Sequence, residues 1–316
     1  MADVRLHFVL SAPRSGSTWL ATALNHHPQI FATEQRLFGE FFEVWPNPRG
    51  GMSPRITLDA YAAAFAGHYF RDALQMDYRQ MREDFLTFMV QQLIEYAHRK
   101  SGKPIIVDKV TPYTGTGDRV VAQIRRYLPQ SKIILLVRDG RDVATSGVFD
   151  WLHKDGPATD RHRFFVQRVP EMVLTRLFDD ESLTHWAKSW IETIQAFAGR
   201  RLDGRIRYEA MKRDQAGELN RLFQWLGAES PSDMGKHCAN QSTFDKMAGR
   251  PAGEERPLAK ARKGIVGDWR NYFTRRDGEL FHRIAGDCLI AEGYESSADW
   301  IDSLPDSLEL VQPRSP

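Results

Sequence analysis

The sequence is short of several features that would assign it to a common class of protein. Its 316 residues include only two cysteines, Cys238 and Cys288, too few for a disulfide framework or a four-thiolate metal site. Lysine and arginine total 43 against 41 aspartates and glutamates, so the net charge is +2. This balance excludes a bulk polycation for nucleic acid and leaves room for a local anion site.

Long apolar runs are also missing. No stretch approaches the roughly 18 to 20 apolar residues that span a bilayer, and the N-terminal run contains Asp3, unlike a secretory signal. Hydrophobic residues nevertheless make up 42% of the chain, enough for a sizeable core. We expect a soluble, cytoplasmic protein with one domain over residues 1–302 and a loose tail over residues 303–316.

Short apolar runs at residues 6–10, 104–107 and 132–137 predict buried strands, residues 205–208 predict a further short strand, and helical patterns lie between them. Such an alternation is typical of a parallel sheet covered on both faces. The sequence therefore predicts a three-layer α/β domain with a central parallel sheet. Ligands of such sheets bind beyond the carboxyl ends of the strands.

Polar turns follow three of these strands, at residues 11–18, 108–109 and 138–140, and are expected to converge. The first turn, rich in Gly and Ser before a helix, favours an anion-binding nest of backbone N–H groups. It is not a Walker A motif, because Gly16 is followed by Ser17 rather than Lys. A nucleotide kinase or ATPase is thereby disfavoured, and an ordinary strand–helix turn capped by serines is the plainer alternative.

Residues 12–20, Ala-Pro-Arg-Ser-Gly-Ser-Thr-Trp-Leu, resemble the 5′-phosphosulfate loop of sulfotransferases that use 3′-phosphoadenosine 5′-phosphosulfate (PAPS). Cytosolic members usually carry Lys at the position of Arg14, whereas tyrosylprotein sulfotransferases and many bacterial relatives carry Arg. Residues 136–146 resemble the family's 3′-phosphate motif, which pairs Arg138 at a strand end with Ser146 two helical turns later. Arg138 can fork onto a phosphate.

Residues 262–274 are very similar to the C-terminal cofactor motif of cytosolic sulfotransferases, and residues 208–212 and 242–244 resemble segments whose aromatic side chains contact adenine. The resemblance implies a P-loop NTPase-like sulfotransferase fold, PAPS as donor and 3′-phosphoadenosine 5′-phosphate (PAP) as product. The implied cofactor-binding residues are Arg14, Ser15, Gly16, Ser17, Thr18, Trp19, Arg138, Ser146, Tyr208, Ser242, Phe244, Arg262, Lys263 and Gly264. One departure concerns assembly: Arg275 stands where the cytosolic family's dimer motif carries Val.

Sulfuryl transfer requires removal of the acceptor proton and neutralisation of charge on the departing phosphate. We expect Arg14 and Lys109 to supply the positive charge. No cluster of metal ligands is visible in the sequence, so metal independence is predicted. Asp108 and Glu34 are equal candidates for the base, and a helix cap or a salt bridge is the structural alternative for each.

The Asp108 assignment follows from residues 107–112, which resemble the Glu-Lys-Thr-Pro motif of heparan sulfate sulfotransferases except for Asp in place of Glu and the inserted Val110. The Glu34 assignment follows from residues 32–36, which look like the Glu-x-Arg stretch of tyrosylprotein and some bacterial sulfotransferases. The cytosolic family's His is missing near residues 108–112.

The acceptor is expected to be a small molecule or a carbohydrate, in a pocket formed by loops at residues 38–57, 151–180 and 247–260. Trp186 and Trp190 at helical spacing predict core rather than an acceptor platform. A P-loop kinase and a catalytically silent nucleotide-binding module are the alternatives in other functional classes. Neither nucleic acid nor a membrane is an expected partner.

Overall fold

The computed structural model describes residues 4–34, 78–112, 117–152, 159–169, 171–198, 200 and 202–311. Five described strands form one parallel sheet in the order β2-β3-β1-β4-β6, which confirms the predicted α/β class. The strands are β1 (Arg5–Ser11), β2 (Ile30–Thr33), β3 (Ile105–Val110), β4 (Ile133–Val137), β5 (Val173–Leu174), β6 (Gly204–Arg207) and β7 (Leu310–Val311), of which β5 and β7 form a separate antiparallel pair.

Helices cover both faces of the sheet. They are α1 (Ser17–Asn25), α2 (Tyr78–Ser101), α3 (Gly117–Tyr127), α4 (Gly140–Trp151), α5 (Asp160–Phe165), α6 (Asp180–Phe197), α7 (Tyr208–Arg213), α8 (Gln215–Leu226), α9 (Met234–Gln241), α10 (Phe244–Ala248) and α11 (Arg275–Ala291), with 3₁₀ turns at Asp268–Asn271 and Asp299–Ile301. Among these described helices, none is both long and apolar enough to cross a membrane.

Alternating side chains of the strands build two separate hydrophobic clusters. On one face, Phe8 and Ile106 join a large cluster that includes the fully buried Trp190. On the other face, Val9 and Val107 pack with α1 and α8. The prediction that Trp186 and Trp190 belong to the core is confirmed.

The structure differs from the predictions made from the sequence at two strands. The predicted polar turn at Asp108 and Lys109 is instead the continuation of β3, because Val9 of β1 pairs with Lys109 and Thr33 of β2 pairs with Asp108. Strand β2, with four residues, was not predicted. It returns the chain directly from α1 to the edge of the sheet and ends just before Glu34.

The segment predicted to be a loose tail is packed over its described part, residues 303–311. Leu304 and Leu308 are buried, and the Leu308 N–H donates to the Thr175 carbonyl. Apolar side chains and a two-residue strand pairing therefore hold this segment against the domain. Arg275 contacts the same segment through Asp306 and is thus paired within its own chain.

Candidate active site

A cavity of about 740 Å³ opens at the carboxyl ends of the sheet strands. Three segments that are far apart in sequence meet there. The first is residues 11–18, the second is residues 136–146 and the third is residues 262–274. The first two follow strand ends, where the sequence predicts a site. The predicted site residues that line it are Arg14, Gly16, Ser17, Thr18, Trp19, Glu34, Lys109, Arg138, Ser146, Tyr208, Phe244, Arg262, Lys263 and Gly264. Ser15, Ser242 and Asp108 are buried beside it without lining it.

The turn between β1 and α1 has the backbone of an anion nest. Arg14 and Gly16 both adopt left-handed conformations, with φ of 65° and 89°, and α1 begins directly afterwards at Ser17. A Cβ atom at Gly16 would come within 2.6 Å of the Tyr208 ring, so only glycine fits this close approach. The N–H groups of the turn and the first helical turn face the cavity edge together.

The Arg14 side chain is bonded to α4, the helix that carries Ser146. Its Nε donates to Ser146 Oγ at 3.1 Å, one Nη pairs with Asp150 at 3.0 Å, and the other donates to the Lys260 carbonyl at 3.0 Å. The predicted pairing of Arg14 with Lys109 at one leaving group is therefore not what these contacts favour. Burial, with the charges of Arg138 and Arg262, lowers the pKa of Arg14 against the opposing effect of Asp150.

Arg138 joins all three segments. It donates to the Arg14 carbonyl at 3.1 Å and to the Ile265 carbonyl at 3.2 Å, and its guanidinium lies 4.3 Å from the centroid of the Tyr208 ring. Burial lowers its pKa, but the charge of Asp142 and other neighbours outweighs burial and raises the pKa overall. Its Nε is buried and has no hydrogen-bond partner among the described residues.

Asp142 is a functional residue that the sequence reasoning missed. Its buried carboxylate accepts the N–H groups of Gly267 and Trp269 at 2.9 and 3.0 Å and lies 3.4 Å from Arg138. It thereby fixes the third segment against the start of α4. The available signal was its position four residues after Arg138, in the first turn of the helix that follows that strand end.

The third segment holds its own cations. Arg262 is buried, pairs with Asp268 and Glu255, and lies 4.3 Å over the Phe149 ring. Lys263 Nζ binds Asp268 at 2.8 Å. The two cations hold the pKa of Asp268 below its ordinary value, although burial acts in the opposite direction. These ion pairs hold the third segment together at the cavity wall, which Arg262, Lys263 and Gly264 line.

Gly264, the next residue of the third segment, approaches an aromatic ring closely. Its φ is 68°, and a Cβ atom there would come within 2.3 Å of the Phe244 ring. Trp19 donates from its indole to the Ser242 carbonyl at 2.8 Å and meets Tyr208 edge to face, with ring centroids 5.5 Å apart. Aromatic rings from three segments therefore stand at one end of the cavity.

At the other end of the cavity, Lys109 Nζ lies 2.7 Å from Glu34 Oε1 and 3.3 Å from Thr18 Oγ1. The Lys109 side chain is 6% exposed and that of Glu34 is 40% exposed. Asp108 precedes Lys109 in β3 and, because successive strand residues alternate, points to the opposite face of the sheet. The structure thus brings Glu34, and not Asp108, to the cavity.

Other predicted contacts lie elsewhere. Arg161 belongs to the loop at residues 151–180 that was expected to form part of the acceptor pocket. Its side chain is buried and pairs with Asp179 at 2.8 Å. The loop at residues 38–57, with Phe38, Phe41, Phe42 and Trp45, lies outside the described residues, as does His153. Within the described ranges no group of three or more His, Cys, Asp or Glu is arranged to hold a metal ion, and metal independence stays a prediction.

Comparison with known proteins points to one family. A family model described as "Sulfotransferase family" matches residues 7–232. Sulfotransferase 2A1 of Rattus norvegicus is 28% identical over 169 residues, which are 49% of this chain and 55% of that protein. Sulfotransferase 2A6 of Mus musculus is 24% identical over 207 residues, 60% of this chain and 68% of that protein. The chain thus spans about half to two thirds of these relatives' length.

A solved structure supports the fold. The crystal structure described as mouse sulfotransferase SULT7A1 complexed with PAP aligns with a TM-score of 0.52 and 18% identity, covering 95% of this chain and 88% of that one. At this identity the likeness concerns the arrangement of helices and strands. The predicted fold is confirmed.

Proposed function

Because this chain belongs to the sulfotransferase family, we propose that it transfers a sulfuryl group from PAPS to a hydroxyl or amine of an acceptor. The observation that supports this most strongly is the meeting of three distant segments at one cavity. Arg138 bonds to the carbonyls of Arg14 in the first segment and Ile265 in the third. Such a cavity suits a ligand with phosphate groups at two separate points.

The residues present fit a doubly phosphorylated adenosine. Ser15 Oγ and Arg138 Nε are buried donors that have no partner within the described part of the chain, and such groups are costly unless a ligand binds them. The turn at Gly16 offers backbone N–H groups to the 5′ end. Trp19, Tyr208 and Phe244 offer ring faces and edges to a purine at the other end.

For the reacting end we propose Lys109 and Glu34. The acceptor O–H or N–H proton goes to the Glu34 carboxylate as the acceptor atom bonds to sulfur, and the bond between sulfur and the phosphate oxygen breaks. Lys109, with the N–H groups of the turn, stabilises the charge on the departing phosphate. Asp108 was an equal candidate from sequence; its position on the opposite face of β3 favours Glu34.

Arg14 takes a different role in this proposal. Its bond to Ser146 and its ion pair with Asp150 support a role in holding the 3′-phosphate subsite together. The alternative functions are less favoured. A P-loop kinase lacks its lysine after Gly16, and a catalytically silent nucleotide-binding module would not need the Lys109–Glu34 pair at the cavity wall.

The finer predictions stay with this proposal: a small-molecule or carbohydrate acceptor, metal-independent transfer, a cytoplasmic location and one domain over residues 1–302. Two of the three loops expected to form the acceptor pocket lie partly or wholly outside the described residues.

Thermal unfolding with nucleotides tests the cofactor. Saturating PAP is expected to raise the melting temperature, because a ligand present at 100 times its dissociation constant stabilises the folded state by about 2.7 kcal/mol. ATP with magnesium is expected to do little. If millimolar PAP leaves the melting curve unchanged, the proposed function fails; if only ATP with magnesium stabilises, the kinase alternative replaces it.

A further inference from the structure

Lys212 lines the cavity but was not among the residues predicted to bind the nucleotide. It follows Tyr208 by one turn of α7, so the two side chains share a helix face. Its Nζ lies 5.2 Å from the centroid of the Trp19 ring. An ammonium group is thus held beside the aromatic end of the cavity.

Lys212 differs from the other shielded cations of the cavity wall. Arg14, Arg138 and Lys263 are held by carboxylates or carbonyl oxygens, as are Lys109, Arg250 and Arg262. Lys212 has no hydrogen bond and no ion pair with any residue in the described parts of the chain. A partly desolvated ammonium without a counter-ion is unfavourable unless a ligand supplies one.

The surroundings of Lys212 indicate which ligand group this is. Burial lowers the pKa of Lys212, and the positive charge of Arg138 lowers it further. Two cations therefore act on each other at this end of the cavity: Arg138 lies 4.3 Å from the centroid of the Tyr208 ring, and Lys212 lies over Trp19, the ring that meets Tyr208 edge to face. A dianionic phosphate bound near Arg138 would relieve this repulsion and supply the missing anion for Lys212.

We propose that Lys212 is a binding residue for the 3′-phosphate of the nucleotide, alongside Arg138 and Ser146. This inference rests on the proposed function. The 5′ end is a weaker alternative, because the cation there, Lys109, already has Glu34 as a partner. Lys212 then serves to distinguish a nucleotide with a 3′-phosphate from one without it.

The test compares two nucleotides that differ only in that phosphate. Titration calorimetry measures the binding of PAP and of adenosine 5′-phosphate to the wild type and to Lys212→Gln. We expect the affinity for PAP to fall roughly 10- to 100-fold, as for a lost hydrogen bond between charged groups, and the affinity for adenosine 5′-phosphate to change less than about twofold. Lys212→Arg is expected to restore most of the PAP affinity.

Lys246→Gln is the matched control. Lys246 is an exposed lysine of α10 that forms a hydrogen bond with Gln241, and it does not line the cavity. Its loss is expected to leave both affinities unchanged. The melting temperature of each variant without nucleotide shows whether it folds as the wild type does.

Each outcome is decisive. Equal losses for the two nucleotides would mean that Lys212 supports the base or the Trp19 ring, and unchanged affinities would mean that it binds nothing; either result overturns the inference. In both cases wild-type PAP binding would leave the proposed function standing. Absence of PAP binding by the wild type itself would instead refute the proposed function and this inference with it.

Discussion

The two ends of the cavity are built differently. At the end proposed to bind the 3′-phosphate, Arg138, Asp142 and Arg262 are buried. Arg138 and Asp142 bond to distant segments, and Arg262 pairs with Glu255 and Asp268 while lying over the Phe149 ring. At the reacting end, Lys109 is buried but Glu34 lies just past the edge strand β2, with a side chain that is 40% exposed. One end is a network of buried charges, and the other includes an ion pair whose carboxylate is partly open to solvent.

This difference separates two tasks. A nucleotide common to many reactions can be bound by a preformed network, because its phosphates occupy the same places in every turnover. The reacting end must admit an acceptor and release a product, so a half-exposed carboxylate suits it. Variants at the two ends should therefore fail in different ways: binding and stability at one end, rate at the other.

The largest expected effect is at the reacting end. Glu34→Gln keeps a hydrogen-bond partner for Lys109 but removes the proposed base, so transfer should slow about 10²- to 10⁴-fold while PAP affinity stays close to that of the wild type. The measurement is single-turnover transfer from PAPS to acceptors of graded acidity that the wild type uses. The loss should be greatest for the least acidic acceptor, which most needs its proton removed.

The competing assignment gives the opposite pattern. If Asp108 is the base, Asp108→Asn shows the acceptor-dependent loss and Glu34→Gln does not. A loss in Glu34→Gln that is the same for every acceptor would also contradict a role in proton removal.

The second effect is expected at the 3′-phosphate end. Asp142→Asn deprives Arg138 of its buried counter-ion and can no longer accept both N–H groups of the third segment, so stability should fall by about 3 to 5 kcal/mol. Chemical denaturation measures this loss. PAP affinity should fall with it, whereas the rate from the saturated complex should change little.

Asp150→Asn is the matched comparison for stability. The Asp150 side chain is 41% exposed and, among the described residues, pairs with Arg14, so its loss should cost less than about 1 kcal/mol. Equal destabilisation by the two substitutions would mean that the buried network is not what stabilises this end.

The smallest effect is expected in the loop before the third segment. Glu255 accepts hydrogen bonds from Arg262 and the Tyr272 hydroxyl, whereas the side chain of its neighbour Glu254 makes a longer ion pair with Arg256, at 3.6 Å. Glu255→Gln should weaken PAP binding about tenfold, or roughly 1.4 kcal/mol, and make residues 249–261 easier to cleave by protease. Glu254→Gln should cause neither change. If the two variants behaved identically, the contacts of Glu255 with Arg262 and Tyr272 would not be what holds this loop in place.

Local sequence was sufficient for the parts that depend on local pattern. Continuous apolar runs indicated three strands of the parallel sheet, residues 205–208 indicated a fourth, and the Gly/Ser turn before α1 indicated the turn that we propose binds an anion. The convergence at the strand ends also followed, because parallel strands end at a common edge. Each of these inferences needs only a few adjacent residues.

Contacts between distant segments could not be predicted in this way. The pairing of β3 with two neighbours carries Asp108 and Lys109 into the sheet, although both look like turn residues. The direction of the Arg14 side chain depends on Asp150 and the Lys260 carbonyl, far away in sequence. For the same reason Asp142 looked like an ordinary helix residue.

The short strand β2 has a consequence for how the reacting end could be lost. Successive residues of a strand face opposite ways, so sliding β2 along β3 by a single residue would carry a neighbour into the place of Glu34. The helices, the nest and the nucleotide network would remain in place. An insertion or deletion between α1 and β2 could therefore yield a well-folded nucleotide binder whose chemistry is silent.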